Sequence, residues 1–170
     1  MTNETDLPLK YLQLALEDAQ ATVRAYDTKA QIVGIGYTFA LNIVAAAMGG
    51  LPGSGEAGLL LVTLFWLVVM APLFLFGYVL YPSRRSAPKV QDTTELGLQR
   101  VLYVETRHHG TFDDLLNAAQ NSDWRAELVY EVLKVSKLRE IKRGRFIRAL
   151  FTTAFSFAML ALLQLWSAMP

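Results

Sequence analysis

The sequence predicts an all-α membrane protein. Three transmembrane helices carry a small, mainly helical cytoplasmic region, and a long C-terminal helix continues into the last span. Three observations support this. Of the 170 residues, 53% are hydrophobic and 18% charged, but one charged residue, Glu56, lies between Ala30 and Ser83, and none lies in 149–170. Outside those blocks, apolar residues recur at three- and four-residue steps, the period of a helix with one buried face. The Lys and Arg residues are also sorted by segment: three precede the first apolar block, none falls in the turn at 51–56, and 13 lie from Ser83 to Arg148. A single water-soluble globule and a disordered chain are both excluded by this distribution.

Residues 1–29 read as a cytoplasmic, amphipathic helix. Leu9, Leu12, Leu16, Ala19, Val23 and Tyr26 form one stripe, and no breaker interrupts the run through Asp27-Thr28-Lys29. Residues 30–82 read as a transmembrane hairpin. Its first span, 30–51, offers 22 uncharged positions, and a hydrocarbon core needs about 20 helical residues. A Pro- and Gly-rich turn at 51–56 separates it from the second span, 57–81, where Pro72 predicts a kink or tilt. The first block begins near residue 30 behind a polar, acidic leader, which is not the pattern of a cleaved signal peptide.

Residues 83–148 read as a cytoplasmic region that opens with a basic, proline-containing loop at 83–89. Residues 98–107 are rich in Val, Leu and Tyr and read as a short strand. Thr111 is placed to cap a helix with Asp114 three positions on, and Asn121-Ser122-Asp123 stops that helix and caps the next. From there Trp124, Leu128, Val132, Val135, Leu138 and Ile141 keep helical period into the third span, within 149–170. If unbroken, this helix has about 45 residues and a length near 70 Å at 1.5 Å per residue. Gly144 is its weak point. By the positive-inside rule, the N-terminus and residues 83–148 are cytoplasmic, while the 51–56 turn and the C-terminus lie outside.

Candidate chemistry is sparse. The chain has no cysteine, which excludes disulfides, thiolate nucleophiles and Cys-ligated zinc. His108 and His109 are adjacent, so they point in different directions. No metal site is expected there. No phosphate-binding glycine loop, nucleophile elbow or zincin motif is present, so neither catalysis nor a cofactor is expected. Asp27-Thr28-Lys29-Ala30 places an acid and a base two residues apart at the start of the first span. Either Lys29 snorkels to headgroups and Asp27 faces water, or Asp27 accepts a hydrogen bond from a polar ligand or from an Arg of a neighbouring helix.

Lys134, Lys137, Arg139, Lys142, Arg143, Arg145 and Arg148 would attract anionic lipid at roughly 1 kcal/mol each. They spread around the helix, however, so some must turn inward. Within the spans, Tyr37, Thr38, Asn42, Thr152, Thr153, Ser156 and Gln164 are expected to hydrogen-bond between helices. A cytoplasmic part of about 90 residues is marginal for an independent fold. A homo-oligomer is therefore expected.

Asp27-x-Lys29-Ala30 opening the first span, a second span ending at Pro82, and Ser136-Lys137-Leu138 followed by Lys142, Phe146 and Ala149 resemble the Pycsar transmembrane effectors. These are small bacterial anti-phage proteins encoded beside a pyrimidine cyclase. The likeness runs from about Leu12 to Leu162. Where the family pattern has Gln-Ile and Asn ahead of the serine, this chain has Glu131-Val132 and Val135.

The resemblance implies a multi-pass protein of the bacterial inner membrane. It would sense a cyclic pyrimidine mononucleotide, cyclic CMP or cyclic UMP, and then impair the membrane, causing growth arrest or cell death. Its partners would be that nucleotide, membrane lipid and further copies of itself, with no nucleic acid. Such a ligand needs a cation for its phosphate and an aromatic or Arg plane for its base. The candidate ligand-binding set is Asp27, Lys29, Tyr103, Arg107, Ser136, Lys142 and Arg143; Tyr26, Trp124, Tyr130 and Lys137 supply further stacking or charge. The competing expectation is a structural or accessory membrane subunit that anchors a cytoplasmic partner.

Overall fold

A computed structural model describes residues 6–47, 56–81, 98–102 and 110–168. Among them are four helices: α1, Asp6–Ala47; α2, Glu56–Leu80; α3, Phe112–Asn121; and α4, Trp124–Ala168. The strand expected over 98–107 is not formed in its described part. Residues 98–102 are irregular, and Arg100 has a φ of 55°, a left-handed conformation that an extended strand does not admit. Residues 103–107 lie outside the described residues, as do the 51–55 part of the expected turn and the 83–89 loop.

Both long helices run as the periodicity predicts. The 42 residues of α1 carry Pro8 in the first turn, where a missing N–H removes no intrahelical bond. The 45 residues of α4 continue through Gly144 without a break. The caps that precede α3 and α4 are those expected. The Thr111 hydroxyl accepts from the Asp114 N–H at 3.2 Å, and Asp123 Oδ1 accepts from the Arg125 N–H at 2.9 Å.

The chain divides into two compact units, one of Met1–Arg24 and Ser83–Ile141, the other of Ala25–Pro82 and Lys142–Pro170. In the first, Ala19 is buried, and Leu9, Leu12, Leu16 and Val23 are partly so; Leu7, Tyr11 and Leu14 on the opposite face are exposed. Ala118 of α3 and Leu128 of α4 are buried in the same unit.

In the second unit, the buried positions of α4 are Lys142, Phe146, Ala149, Thr153, Ser156 and Leu160. They alternate steps of four and three, the seam spacing of helices packed at a shallow left-handed angle. Ala30 and Tyr37 on α1, and Val69, Pro72, Phe76 and Val79 on α2, complete the interior. Ala30 and Ala149 are fully covered and sit with Phe76, Val79 and Phe146 in one cluster. Small residues at such positions let helix backbones approach closely.

Deeper in this unit a polar node joins three helices. The Tyr37 hydroxyl donates to the Val69 carbonyl at 2.7 Å and lies 2.6 Å from Ser156 Oγ. A phenol has one proton, and Val69 takes it, so Ser156 is the donor to Tyr37. Val69 lies three residues before Pro72, whose ring disturbs the backbone ladder on its N-terminal side. The carbonyl that loses its donor to Pro72 is that of Val68, four residues before it, so the Tyr37 hydroxyl adds a bond on the adjacent carbonyl. The expected interhelical role of Tyr37 and Ser156 is thus met.

Val62–Leu80 and Trp124–Leu162 contain windows apolar and long enough to cross a membrane, with 22% and 28% of those windows buried. A soluble protein's core helix would be mostly covered. Here Leu64, Leu67, Phe74, Phe151, Phe155 and Leu162 face outward instead. The expected first span, 30–51, extends past the described part of α1, and Ile32, Ile35, Phe39 and Ile43 are exposed along it.

Replacing Tyr37 with Phe, or Ser156 with Ala, should lower stability in detergent by about 0.5–2 kcal/mol each. The double variant should lose less than the sum. Thermal unfolding of all four proteins measures this, and strict additivity would dissociate the two hydroxyls.

Candidate functional site

Below the node in sequence, α1 carries Tyr26, Asp27 and Ala30, and α4 carries Lys142, Arg145, Phe146 and Ala149. Residues three, four and seven apart share a helix face, so Asp27 sits one turn and Lys142 two turns from the covered alanines, Ala30 and Ala149, that bring α1 and α4 together. Lys142 Nζ donates to both Asp27 carboxylate oxygens, with the Oδ2 contact at 2.6 Å. The Lys142 side chain is 8% exposed and that of Asp27 33%. Beside them the Tyr26 and Phe146 rings lie 5.9 Å apart, and Phe146 reaches Phe76 of α2 at 6.5 Å.

Arg145 secures the other neighbour. Its guanidinium lies 4.0 Å from the centroid of the Tyr78 ring, and Nη1 donates to the Tyr78 carbonyl at 3.4 Å. That carbonyl is in the last turn of α2, where carbonyls lack intrahelical donors and a cation is favoured by the helix dipole. Among the bases that the spread of charge around α4 required to turn inward are Lys142 and Arg145, and Lys134, whose side chain is 16% exposed.

Of the candidate ligand residues, the structure brings Asp27 and Lys142 into contact. Asp27 meets a base of a neighbouring helix, as one sequence reading had it, but that base is Lys142 and not an Arg. Lys29 and Arg143, in the same unit, are exposed. Ser136 belongs to the first unit and is half-buried. Tyr103 and Arg107 lie outside the described residues, together with His108 and His109. Among the described residues, no three His, Asp or Glu side chains gather as a metal ion would need.

Sequence reasoning missed Glu127. This first-turn residue of α4 is 1% exposed. Its Oε1 accepts the N–H groups of Gln99 at 2.6 Å and Arg100 at 2.8 Å, pinning the left-handed turn that replaces the expected strand. Oε2 is buried with no partner among the described residues. The signal available was an acid beside Leu128 and one turn before Glu131, on the apolar stripe of a helix. Glu131 is also buried and is paired with Lys134 at 3.1 Å.

A family model described as Pycsar effector protein domain matches residues 11–168. No curated protein and no solved structure gives a match.

Truncating Glu127 to Ala strands two backbone donors at a cost of about 1–3 kcal/mol each. Glu127→Gln keeps an acceptor carbonyl in place and should recover most of that loss. Chemical denaturation of the two variants is the measurement, and equal loss in both would remove the role of Oε1 as an acceptor.

Proposed function

The chain belongs to the Pycsar effector family, and from that premise we propose that it is a membrane-resident anti-phage effector that senses a cyclic pyrimidine mononucleotide and then impairs the inner membrane. The observation that carries this reading is the construction of α1 and α4. Each is one continuous helix: α4 runs from an amphipathic part into a window of membrane-crossing character, and α1 runs from an amphipathic part into a stretch whose Ile32, Ile35, Phe39 and Ile43 are exposed. A helix that spans both environments passes a displacement at one end to the other, because its backbone hydrogen bonds leave little slack.

In this proposal the protein is a receptor and not an enzyme. It crosses the membrane three times, with spans near 30–51, 57–81 and 149–168 and the N-terminus inside. The contrast between 13 basic residues from Ser83 to Arg148 and none in the 51–56 turn supports that direction. Outward-facing Ile35, Phe39, Phe74 and Phe155 suit contact with lipid or with further copies in a homo-oligomer. The nucleotide phosphate calls for cations, which Lys29, Arg107, Lys142 and Arg143 offer; Tyr103 offers a stacking plane for the base, and Ser136 a hydroxyl.

Reporter fusions test the topology. A phosphatase fused after Pro170 should be active and one fused after Lys89 inactive. The reverse at either site overturns the three-span arrangement.

Cells expressing the protein should depolarise when cyclic CMP or cyclic UMP is produced by a co-expressed cyclase, and stay polarised with a catalytically dead cyclase. Depolarisation is read with a potential-sensitive dye. Failure with both nucleotides, together with no binding by the purified protein, would favour an accessory subunit that anchors a cytoplasmic partner.

A further inference from the structure

We infer that Asp27 is a resident counter-ion for Lys142, and that a phosphodiester monoanion takes its place on the ammonium. This rests on the ligand-sensing reading above and specifies its chemistry.

The inequality of the pair supports exchange. Lys142 is buried, and a buried ammonium without an anion is strongly disfavoured. Its hydrogen bonds among the described residues go to the two oxygens of Asp27. The carboxylate, by contrast, is a third exposed, against 8% for the lysine side chain. If the pair opens, Asp27 recovers hydration readily and Lys142 does not, so the cation stays and the anion is the exchangeable half.

Ligand chemistry meets that vacancy. A phosphodiester carries one negative charge on two equivalent oxygens, as a carboxylate does, and repeats the two-point contact with Nζ. Over 25–29 and 142–148 the chain has five bases, Lys29, Lys142, Arg143, Arg145 and Arg148, against one acid, Asp27. The excess positive charge holds an incoming anion after Asp27 has been released. Exchange also undoes the ionic tie between α1 and α4 and leaves the Tyr37–Ser156 hydrogen bond intact.

A cyclic mononucleotide and a phospholipid headgroup both present this anion, so the test has an arm for each. Full-length protein is placed in nanodiscs of neutral phosphatidylcholine, and binding of cyclic CMP and cyclic UMP is titrated. Asp27→Asn removes the competing charge and should tighten nucleotide binding roughly ten-fold, the value of one charge-assisted hydrogen bond no longer contested. Lys142→Met should abolish binding. The charge swap D27K/K142D keeps an ion pair, and with it the fold, but buries the anion and exposes the cation; it should lose binding too.

Unchanged or weaker binding by Asp27→Asn, or parental binding by the swapped protein, overturns exchange while the ligand-sensing reading stands. If the parent binds neither nucleotide, that reading fails, and exchange is decided in the lipid arm. Adding phosphatidylglycerol should then give more retained lipid on Asp27→Asn than on the parent by native mass spectrometry. Equal retention overturns exchange there as well.

Discussion

A helix of 45 residues with a glycine in its middle does not stay straight on propensity alone. Gly144 costs about 1 kcal/mol relative to alanine and has no side chain to pack. What holds α4 together is the set of contacts immediately around that glycine. Lys142 is tied to Asp27 of α1, Arg145 lies on the end of α2, and Phe146 packs between Tyr26 and Phe76. Space beside Gly144 itself is open, so no close approach explains the residue. The three anchors within two positions of it do explain why the helix survives. Without an unbroken α4, Lys142 and Ser156 would not hold fixed positions against α1.

An apolar surround constrains the interior differently from water. A polar atom facing hydrocarbon finds no solvent partner, so each must be answered by another protein atom. Several are answered locally: Thr38 returns its hydroxyl to the Gly34 carbonyl, and Thr152 and Thr153 do the same with Arg148 and Ala149. The Tyr37, Ser156 and Val69 node is the non-local answer, and it falls where Pro72 weakens the ladder of α2. Polar residues in these helices thus divide into those that serve their own backbone and those that join helices.

Much of the fold was legible because helical period is a strong signal over long segments. The stripe of Leu9, Leu12, Leu16, Ala19, Val23 and Tyr26 is the covered face of α1, and the caps at Thr111 and Asp123 are where the side chains place them. Residues 98–102 were misread because β-branched and aromatic composition is a weak, context-dependent preference. A buried carboxylate 27 or 28 positions away, Glu127, decides the backbone there. Pairing was equally hidden. Asp27 and Lys142 each advertise a charge near a span, but 115 residues separate them, and spacing along a sequence carries no information about which helix faces which.

The two cross-links between α1 and α4 differ in kind, and the difference assigns them separate parts. At Tyr37 and Ser156, both groups are buried and neutral, and one proton chain ends on a backbone carbonyl; no outside anion has reason to enter. At Asp27 and Lys142, opposite charges meet with one partner partly in water, so the strength of the tie depends on what other anions are present and on their concentration. A contact of the first sort sets which faces of the helices meet. A contact of the second sort is open to competition, and under the exchange proposed above a small anion would alter there how α1 is held to α4 without first unpacking their apolar interface.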